Sequence, residues 1–304
     1  MDEVIYKLDN IIKIYNSGRA ERFVATQIVP PSTDPTTGVS CKDVTITPNV
    51  SARLYLPKLD ADKKVPVLVY YHGGAFCVGS AFDIPWHSYT TALAAKANVI
   101  IISIQYRLAP EHPVPVAYED SYAAFDWVIS HADGGSEQLL ANHGDLNRLF
   151  ILGESAGANI VHHVAMYGGA KVHGALLLHP YFLSSKEVES EKKDPQAAEN
   201  LKGLWKIVCP KTSGLDDPLI NPLAEAAPPL GKLRCKRILI TVAEKDALRD
   251  RGQAYCEKLK ESEWKGEVKI WEAAGEGHCF FLANPVSEMA LEQDEIVAEF
   301  LNKE

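Results

Sequence analysis

Six short apolar runs, separated by helix-like stretches, constrain the fold of this chain more than any other feature. The runs are VPVLVYYH (65–72), NVIIISIQY (98–106), RLFILGES (148–155), GALLLHPYF (174–182), RILITVAE (237–244) and EVKIWEAA (267–274). Near-continuous apolar character over so few residues is typical of strands that are buried on both faces. Because helices intervene, we expect a mostly parallel sheet with helices on both of its faces.

The segments between and before these runs predict the other elements. Helix-like stretches occupy 86–97, 116–132, 158–169, 249–262 and 290–303. VTITP and SARLYLP alternate apolar and polar residues, which predicts antiparallel strands with one solvated face. Residues 5–15 predict a short amphipathic helix, or a helix running into a strand, and 24–40 is an irregular connector. The less regular segment 183–236 is interpreted as an insertion that includes a helix at 200–209, rather than as a separate domain.

Length and charge limit the classes of protein open to this chain. Its 304 residues suit a single α/β domain spanning 1–304, and 46% hydrophobic with 23% charged residues is typical of globular proteins. The net charge of −9 argues against binding to nucleic acid or anionic lipid, since both need clustered Lys and Arg. None of the six cysteines forms a C-x-x-C pair, so no zinc site is predicted.

The sequence also favours a cytoplasmic location. The first residues lack the apolar region of a secretory signal, and no run approaches 18 apolar residues. We therefore predict no membrane span and expect free thiols in a reducing compartment.

Ser155 lies in the pentapeptide GESAG (153–157), which fits the pattern G-x-S-x-G. This pattern is typical of a sharp strand-to-helix turn that exposes a serine hydroxyl at its apex. The turn also places the N–H of Ala156 at a helix N-terminus, where an anion is stabilised. The alternative is an ordinary glycine-containing turn. Because a strand-like run precedes the motif and a helix-like run follows it, the nucleophile interpretation is favoured.

His278 is the residue predicted to act as the base for this serine. It follows the strand-like run at 267–274, in a loop where Gly275 and Gly277 permit a close approach. A solvated loop histidine is the alternative. The earlier histidines after the serine lie near the following helix or end a buried strand: His162, His163, His173 and His179.

Asp246 is the predicted carboxylate partner of the histidine. In this class of site the chain order is Ser, then Asp or Glu, then His, and Asp246 follows the strand-like run at 237–244. Functional loops in such sheets follow the carboxyl ends of strands. The competing carboxylates are Glu244, Asp250 and Asp217.

The loop HGGAF (72–76) follows the first buried run and predicts part of an oxyanion hole. Consecutive glycines can turn backbone N–H groups toward one point. The predicted donors are the N–H groups of Gly73, Gly74 and Ala156. Ala75 stands where related loops carry a third glycine. Alanine keeps a backbone N–H, but its side chain disfavours positive φ. A plain glycine turn is the alternative.

Several motifs together resemble the hormone-sensitive-lipase group of α/β-hydrolases, and within it the plant carboxylesterases and the 2-hydroxyisoflavanone dehydratase-like proteins. They are HGGAF, YRLAPEHPVPVAYED, GESAGANI, DPLINP, EKDALRD and GEGHCF. The resemblance runs from about residue 10 to the C-terminus. It implies the α/β-hydrolase fold, with a cap formed by residues 1 to about 40 and about 183–220. An N-terminal segment that only packs on the core is the alternative.

This resemblance implies a carboxylesterase that acts on small-molecule esters through a Ser155–His278–Asp246 triad and an acyl-enzyme, with no metal and no organic cofactor. A dehydratase or cyclase-type lyase on the same scaffold is the alternative. A hormone receptor is a third class, but receptors of this group lack the histidine, which is present here as His278. Monomer and homodimer both fit the sequence.

Overall fold

The computed structural model describes residues 2–8, 11–23, 27–59, 63–167 and 172–303. The strands are β1 (Val4–Leu8), β2 (Ile12–Tyr15), β3 (Ala20–Arg22), β4 (Ser40–Thr47), β5 (Val50–Leu56), β6 (Val65–Tyr71), β7 (Ile100–Gln105), β8 (Gly144–Glu154), β9 (Gly174–Leu178), β10 (Arg237–Ala243) and β11 (Glu267–Ala273). The helices are α1 (Ile84–Ala97), α2 (Val116–Ile129), α3 (Gln138–His143), α4 (Ala156–Met166), α5 (Glu189–Lys193), α6 (Pro195–Val208), α7 (Arg249–Glu261), α8 (Phe280–Ala283) and α9 (Glu288–Asn302).

An eight-stranded sheet forms the centre of the molecule, in the order β11-β10-β9-β8-β6-β7-β5-β4. The pairs from β11 to β7 are parallel, whereas β5 pairs antiparallel with both β7 and β4. All six apolar runs form strands of this sheet, and the two alternating segments form β4 and β5. The mostly parallel α/β architecture predicted from the sequence is therefore confirmed.

The apolar core lies on both faces of this sheet. All seven residues of β6 and all five of β9 are buried, as the continuous apolar runs predict. Two clusters of buried side chains cover the two faces. Burying one Val, Leu or Ile side chain contributes about 1.5–3 kcal/mol, so these clusters hold the strand ends in place. The carboxyl ends of the central strands are thus a rigid support for the loops that follow them.

The edge strand β11 departs from the expected burial on both faces. Most of its side chains are exposed or half-buried, and only Ala273 is fully buried. β11 lies at the edge of the sheet, and the charged residues in EVKIWEA face solvent there, as is common for edge strands.

The N-terminal segment forms strands rather than the predicted helix. β1, β2 and β3 build a separate antiparallel sheet, with β2 in its centre. Ile12 and Ile14 are buried while Lys13 and Tyr15 are half-buried, a period of two that fits a strand and not a helix. The helical interpretation of 5–15 is wrong because packing of this alternating face decides the local structure.

The insertion after β9 contacts this small sheet. Tyr6 of β1 donates its hydroxyl to the carbonyl of Asn200 on α6, at 2.8 Å. The predicted helix at 200–209 is the second half of α6. Among the described residues, no helix combines the length and apolar character that crossing a bilayer requires.

Candidate active site

Ser155 occupies a strained turn between β8 and α4. Its φ of 55° and ψ of −116° lie in a region that non-glycine residues rarely adopt. The flanking glycines permit the turn, since a Cβ on Gly157 would collide with the Tyr71 carbonyl of β6, and one on Gly153 would collide with Gly157 itself. The crossing of β6, β8 and α4 therefore requires small residues at 153 and 157, as the sequence pattern predicts.

The structure brings Ser155, His278 and Asp246 into one hydrogen-bonded chain. His278 Nε2 lies 2.9 Å from Ser155 Oγ, and His278 Nδ1 lies 2.7 Å from Asp246 Oδ2. Ser155 is 7% exposed and Asp246 4%, whereas the His278 side chain is 35% exposed. An imidazole placed between a hydroxyl and a carboxylate can take the hydroxyl proton while the carboxylate stabilises the resulting charge.

The electrostatics of this chain favour a charge-separated pair. Burial would raise the pKa of Asp246, but His278 and His179 outweigh burial and hold it below its ordinary value. Burial would lower the pKa of His278, but the Asp246 carboxylate raises it well above 6.5. The Asp246 carboxylate is therefore ionised and ready to stabilise an imidazolium at His278.

His179 is a second imidazole beside Asp246, and the sequence analysis set it aside as a base because it ends a buried strand. Its Nδ1 lies 3.4 Å from Asp246 Oδ2, and its Nε2 lies 3.4 Å from Gln293 Oε1. Burial lowers the pKa of His179, which favours its neutral form. His179, Asp246 and His278 place ligand atoms within 4.8 Å of one another, as a metal site would. The 2.7 Å contact between Asp246 and His278 already uses two of these atoms, which fits a hydrogen-bonded relay better than a metal site.

The competing carboxylates have other partners. Asp217 accepts from Thr212 Oγ1 and from the Ser213 and Leu219 N–H groups within one turn. Asp250 accepts from the Ser190 N–H at 2.8 Å. Glu244 accepts from the Gly275 N–H at 2.7 Å, and so ties down the loop that carries the histidine.

The two histidines of α4 have partners other than the serine. His162 Nδ1 lies 2.8 Å from the Tyr255 hydroxyl, and His163 Nε2 lies 3.1 Å from the Leu219 carbonyl. Burial lowers the pKa of His163 to about 4, so it is neutral at physiological pH.

The HGGAF loop lies beside the serine, but its hydrogen bonds differ from the prediction. The Gly73 N–H donates to the Glu154 carboxylate, so it is not free to bind an oxyanion, contrary to the prediction. Within the described part of the chain, no hydrogen-bond acceptor is found for the N–H groups of Gly74, Ala75 or Ala156. Ala75 adopts a φ of 50° despite its side chain. Ala75 was not among the predicted donors, although its N–H follows directly in the motif.

A family model described as the alpha/beta hydrolase fold matches residues 68–282. Over 98% of this chain and 96% of its own length, 2-hydroxyisoflavanone dehydratase of Glycyrrhiza echinata is 45% identical. Probable carboxylesterase 2 of Arabidopsis thaliana is 41% identical over 95% of this chain and 94% of its own. A hyperthermophilic esterase from the archaeon Pyrobaculum calidifontis superimposes with a TM-score of 0.72 at 29% identity, covering 86% of this chain and 84% of its own.

Proposed function

Because the chain belongs to the α/β-hydrolase family, we propose that it is a serine carboxylesterase that hydrolyses small carboxylic esters. The hydrogen-bonded chain from Ser155 through His278 to Asp246, at 2.9 and 2.7 Å, is the observation that carries this proposal. The similarity to a probable carboxylesterase and to a solved esterase supports the same reaction class.

In the proposed mechanism, Ser155 Oγ attacks the ester carbonyl as His278 Nε2 takes its proton. Asp246 holds the imidazole with its proton on Nδ1 and stabilises the imidazolium. The tetrahedral oxyanion accepts hydrogen bonds from the N–H groups of Gly74, Ala75 and Ala156, and one such donor is worth about 3 kcal/mol in comparable sites. His278 then protonates the leaving alcohol, and water activated by the same imidazole hydrolyses the acyl-enzyme. The chemistry proposed needs no cofactor.

We propose further that the N-terminal sheet and the insertion together form the cap over this site. The Tyr6–Asn200 hydrogen bond joins the two parts. On the body side, Arg22 of β3 donates to the carbonyls of Cys77 at 2.6 Å and Ala109 at 2.9 Å. Cys77 belongs to the loop that follows HGGAF, so the N-terminal sheet is attached beside the reacting centre.

The second candidate is a lyase of the dehydratase type on the same site. It is favoured by the 45% identity to 2-hydroxyisoflavanone dehydratase. In that reaction His278 would act as a base, the oxyanion donors would stabilise an enolate, and no acyl-enzyme would form. A hormone receptor is less favoured, since the hydrogen-bonded triad has no use in a protein that only binds.

Ser155→Ala tests the proposal with p-nitrophenyl esters of short acids as substrates. We expect hydrolysis to fall to the background rate while the far-UV circular dichroism spectrum stays unchanged. Ser130→Ala is the matched control, because Ser130 is exposed at the end of α2 and its hydroxyl donates to the Trp127 carbonyl within the same helix turn. Full activity in Ser155→Ala would overturn the assignment. Mass analysis of products then separates an esterase, which adds water, from a dehydratase, which removes it.

A further inference from the structure

Glu154, the residue between Gly153 and the proposed nucleophile, is a buried carboxylate that the mechanism above does not use. It is 1% exposed. Its Oε2 accepts from the Tyr70 hydroxyl at 2.6 Å, and its Oε1 accepts from Trp86 Nε1 at 2.6 Å and from the Gly73 N–H. The carboxylate thus joins β6, α1 and the HGGAF loop at one point behind the serine.

All of these partners are hydrogen-bond donors. An ionised carboxylate only accepts, so it matches three donors without leaving any proton unpaired. Burial raises the pKa of Glu154 to about 7, while the bonds from Tyr70, Gly73 and Trp86 oppose that rise. Bonds to a charged acceptor are roughly twice as strong as neutral ones, which helps to offset the cost of burying the charge.

The Glu154 carboxylate holds the part of the HGGAF loop that lies closest to the serine. A Cβ placed on Gly73 would lie 2.9 Å from the Glu154 carbonyl oxygen and 3.3 Å from Ser155 Cβ. The following residue, Gly74, has a φ of 97° and an N–H with no acceptor among the described residues. Fixing the Gly73 amide therefore fixes the direction of the next peptide group, whose N–H is free.

We propose that Glu154 is a positioning residue that holds the Gly73 amide, so that the N–H groups of Gly74 and Ala75 face the substrate oxyanion. This inference rests on the proposed esterase function and adds to it a buried anchor for the loop that carries the oxyanion donors. The carboxylate does not touch substrate. Its effect on the reaction passes through the peptide groups that it orients.

The test compares Glu154→Gln and Glu154→Ala with wild type in hydrolysis of a p-nitrophenyl ester. Glutamine keeps an acceptor for Gly73 but loses the charge, so we expect kcat to fall about tenfold. Alanine leaves the loop without its anchor, and we expect a loss of about 10²-fold, as for one lost oxyanion donor. KM should stay within about twofold in both variants, since ground-state binding does not use the oxyanion donors.

A transition-state analogue separates positioning from a general loss of structure. A trifluoromethyl ketone forms a serine adduct that bears the oxyanion, whereas the matching methyl ketone reports ground-state binding. We expect the Ki of the trifluoromethyl ketone to rise in proportion to the loss of kcat, and that of the methyl ketone to stay constant. Tyr89→Phe is the control, because the Tyr89 hydroxyl is buried near Tyr70 but has no hydrogen-bond partner among the described residues.

Wild-type kcat and wild-type trifluoromethyl ketone affinity in Glu154→Gln would overturn the inference, as would a rise in KM at constant kcat. If Glu154→Ala does not fold, the glutamine variant decides. Ser155→Ala separates this inference from the proposed function. Activity in Ser155→Ala contradicts the esterase proposal itself, whereas an inactive Ser155→Ala beside fully active Glu154 variants contradicts only the positioning role.

Discussion

Replacing Asp246 by Asn is expected to lower kcat/KM by between about 10² and 10⁴ while the fold is kept. The two side chains have nearly the same shape, but asparagine carries an NH₂ group in place of one oxygen. In the wild type, Oδ2 accepts from His278 Nδ1 at 2.7 Å, and Oδ1 accepts from the Leu248 N–H at 2.9 Å. Asparagine can satisfy only one of these two donors, so the magnitude depends on which one it loses.

With its NH₂ toward His278, the amide donates to Nδ1 and forces the imidazole proton onto Nε2. Ser155 then has no base, which costs about 10⁴-fold, or about 5.5 kcal/mol. With the amide turned around, its NH₂ opposes the buried Leu248 N–H, at a cost of about 1–3 kcal/mol. The imidazolium also loses a charged partner, worth about 1.5 kcal/mol more. The turned amide therefore sets the lower limit of the loss, at about 10²-fold.

The assay is the initial rate of p-nitrophenyl ester hydrolysis, with the melting temperature measured on the same preparation. Asp250→Asn is the matched control, since Asp250 lies on the next helix and asparagine can still accept from the Ser190 N–H. We expect this control to stay within about threefold of wild type, as for most substitutions away from such sites. A folded Asp246→Asn protein within fivefold of wild type would refute the reasoning, as would an equal loss in Asp250→Asn.

The other predictions concern pH, the insertion and the turn at the serine. Neutral His278 is the active form and its pKa lies well above 6.5, so kcat/KM should rise with pH to a midpoint above 6.5; a midpoint below that value contradicts the assignment. Glu191→Ala should destabilise the protein by about 3–5 kcal/mol in urea unfolding, because it leaves the buried Arg251, 2.7 Å away, without its carboxylate partner. The exposed Glu189→Ala is its control, and equal losses would exclude this cause. Gly157→Ala should lower the melting temperature and reduce the free energy of unfolding by about 1–3 kcal/mol, because the Cβ of the alanine would overlap the Tyr71 carbonyl. An unchanged melting temperature would contradict this and show that the turn relaxes.

The sheet could be predicted because strands that are buried on both faces have near-continuous apolar sequences. A strand such as β9, with GALLL fully buried, has no solvated face on which polar residues could alternate. The N-terminal segment has no such continuous apolar run, since the five Ile and Leu residues between 5 and 15 fit either period. Its strands are stabilised by the pairing of β2 with β1 and β3 and by the burial of Ile12 and Ile14, and neither contribution is encoded in the local pattern.

The positions of Ser155, Asp246 and His278 could be predicted for a related reason. Each follows the carboxyl end of a parallel strand, and those ends share one edge of the sheet, so sequence order alone brings the three loops together. The hydrogen bonds within the HGGAF loop could not be predicted in this way. Gly73 donates to a carboxylate 81 residues away, and a glycine motif does not tell which of its N–H groups is already taken.

Arg22 shows why the attachment of the N-terminal sheet could not be predicted from the sequence either. Its guanidinium reaches the Cys77 and Ala109 carbonyls, 55 and 87 residues away, and pairs with Glu111. Backbone carbonyls have no residue signature, so no pattern near either partner indicates the contact. Yet an arginine that donates to two carbonyls at once fixes the loops that bear them relative to each other. The proposed cap is therefore attached through the same loop whose amides Glu154 orients, and changes in either contact should alter the reacting centre through that loop.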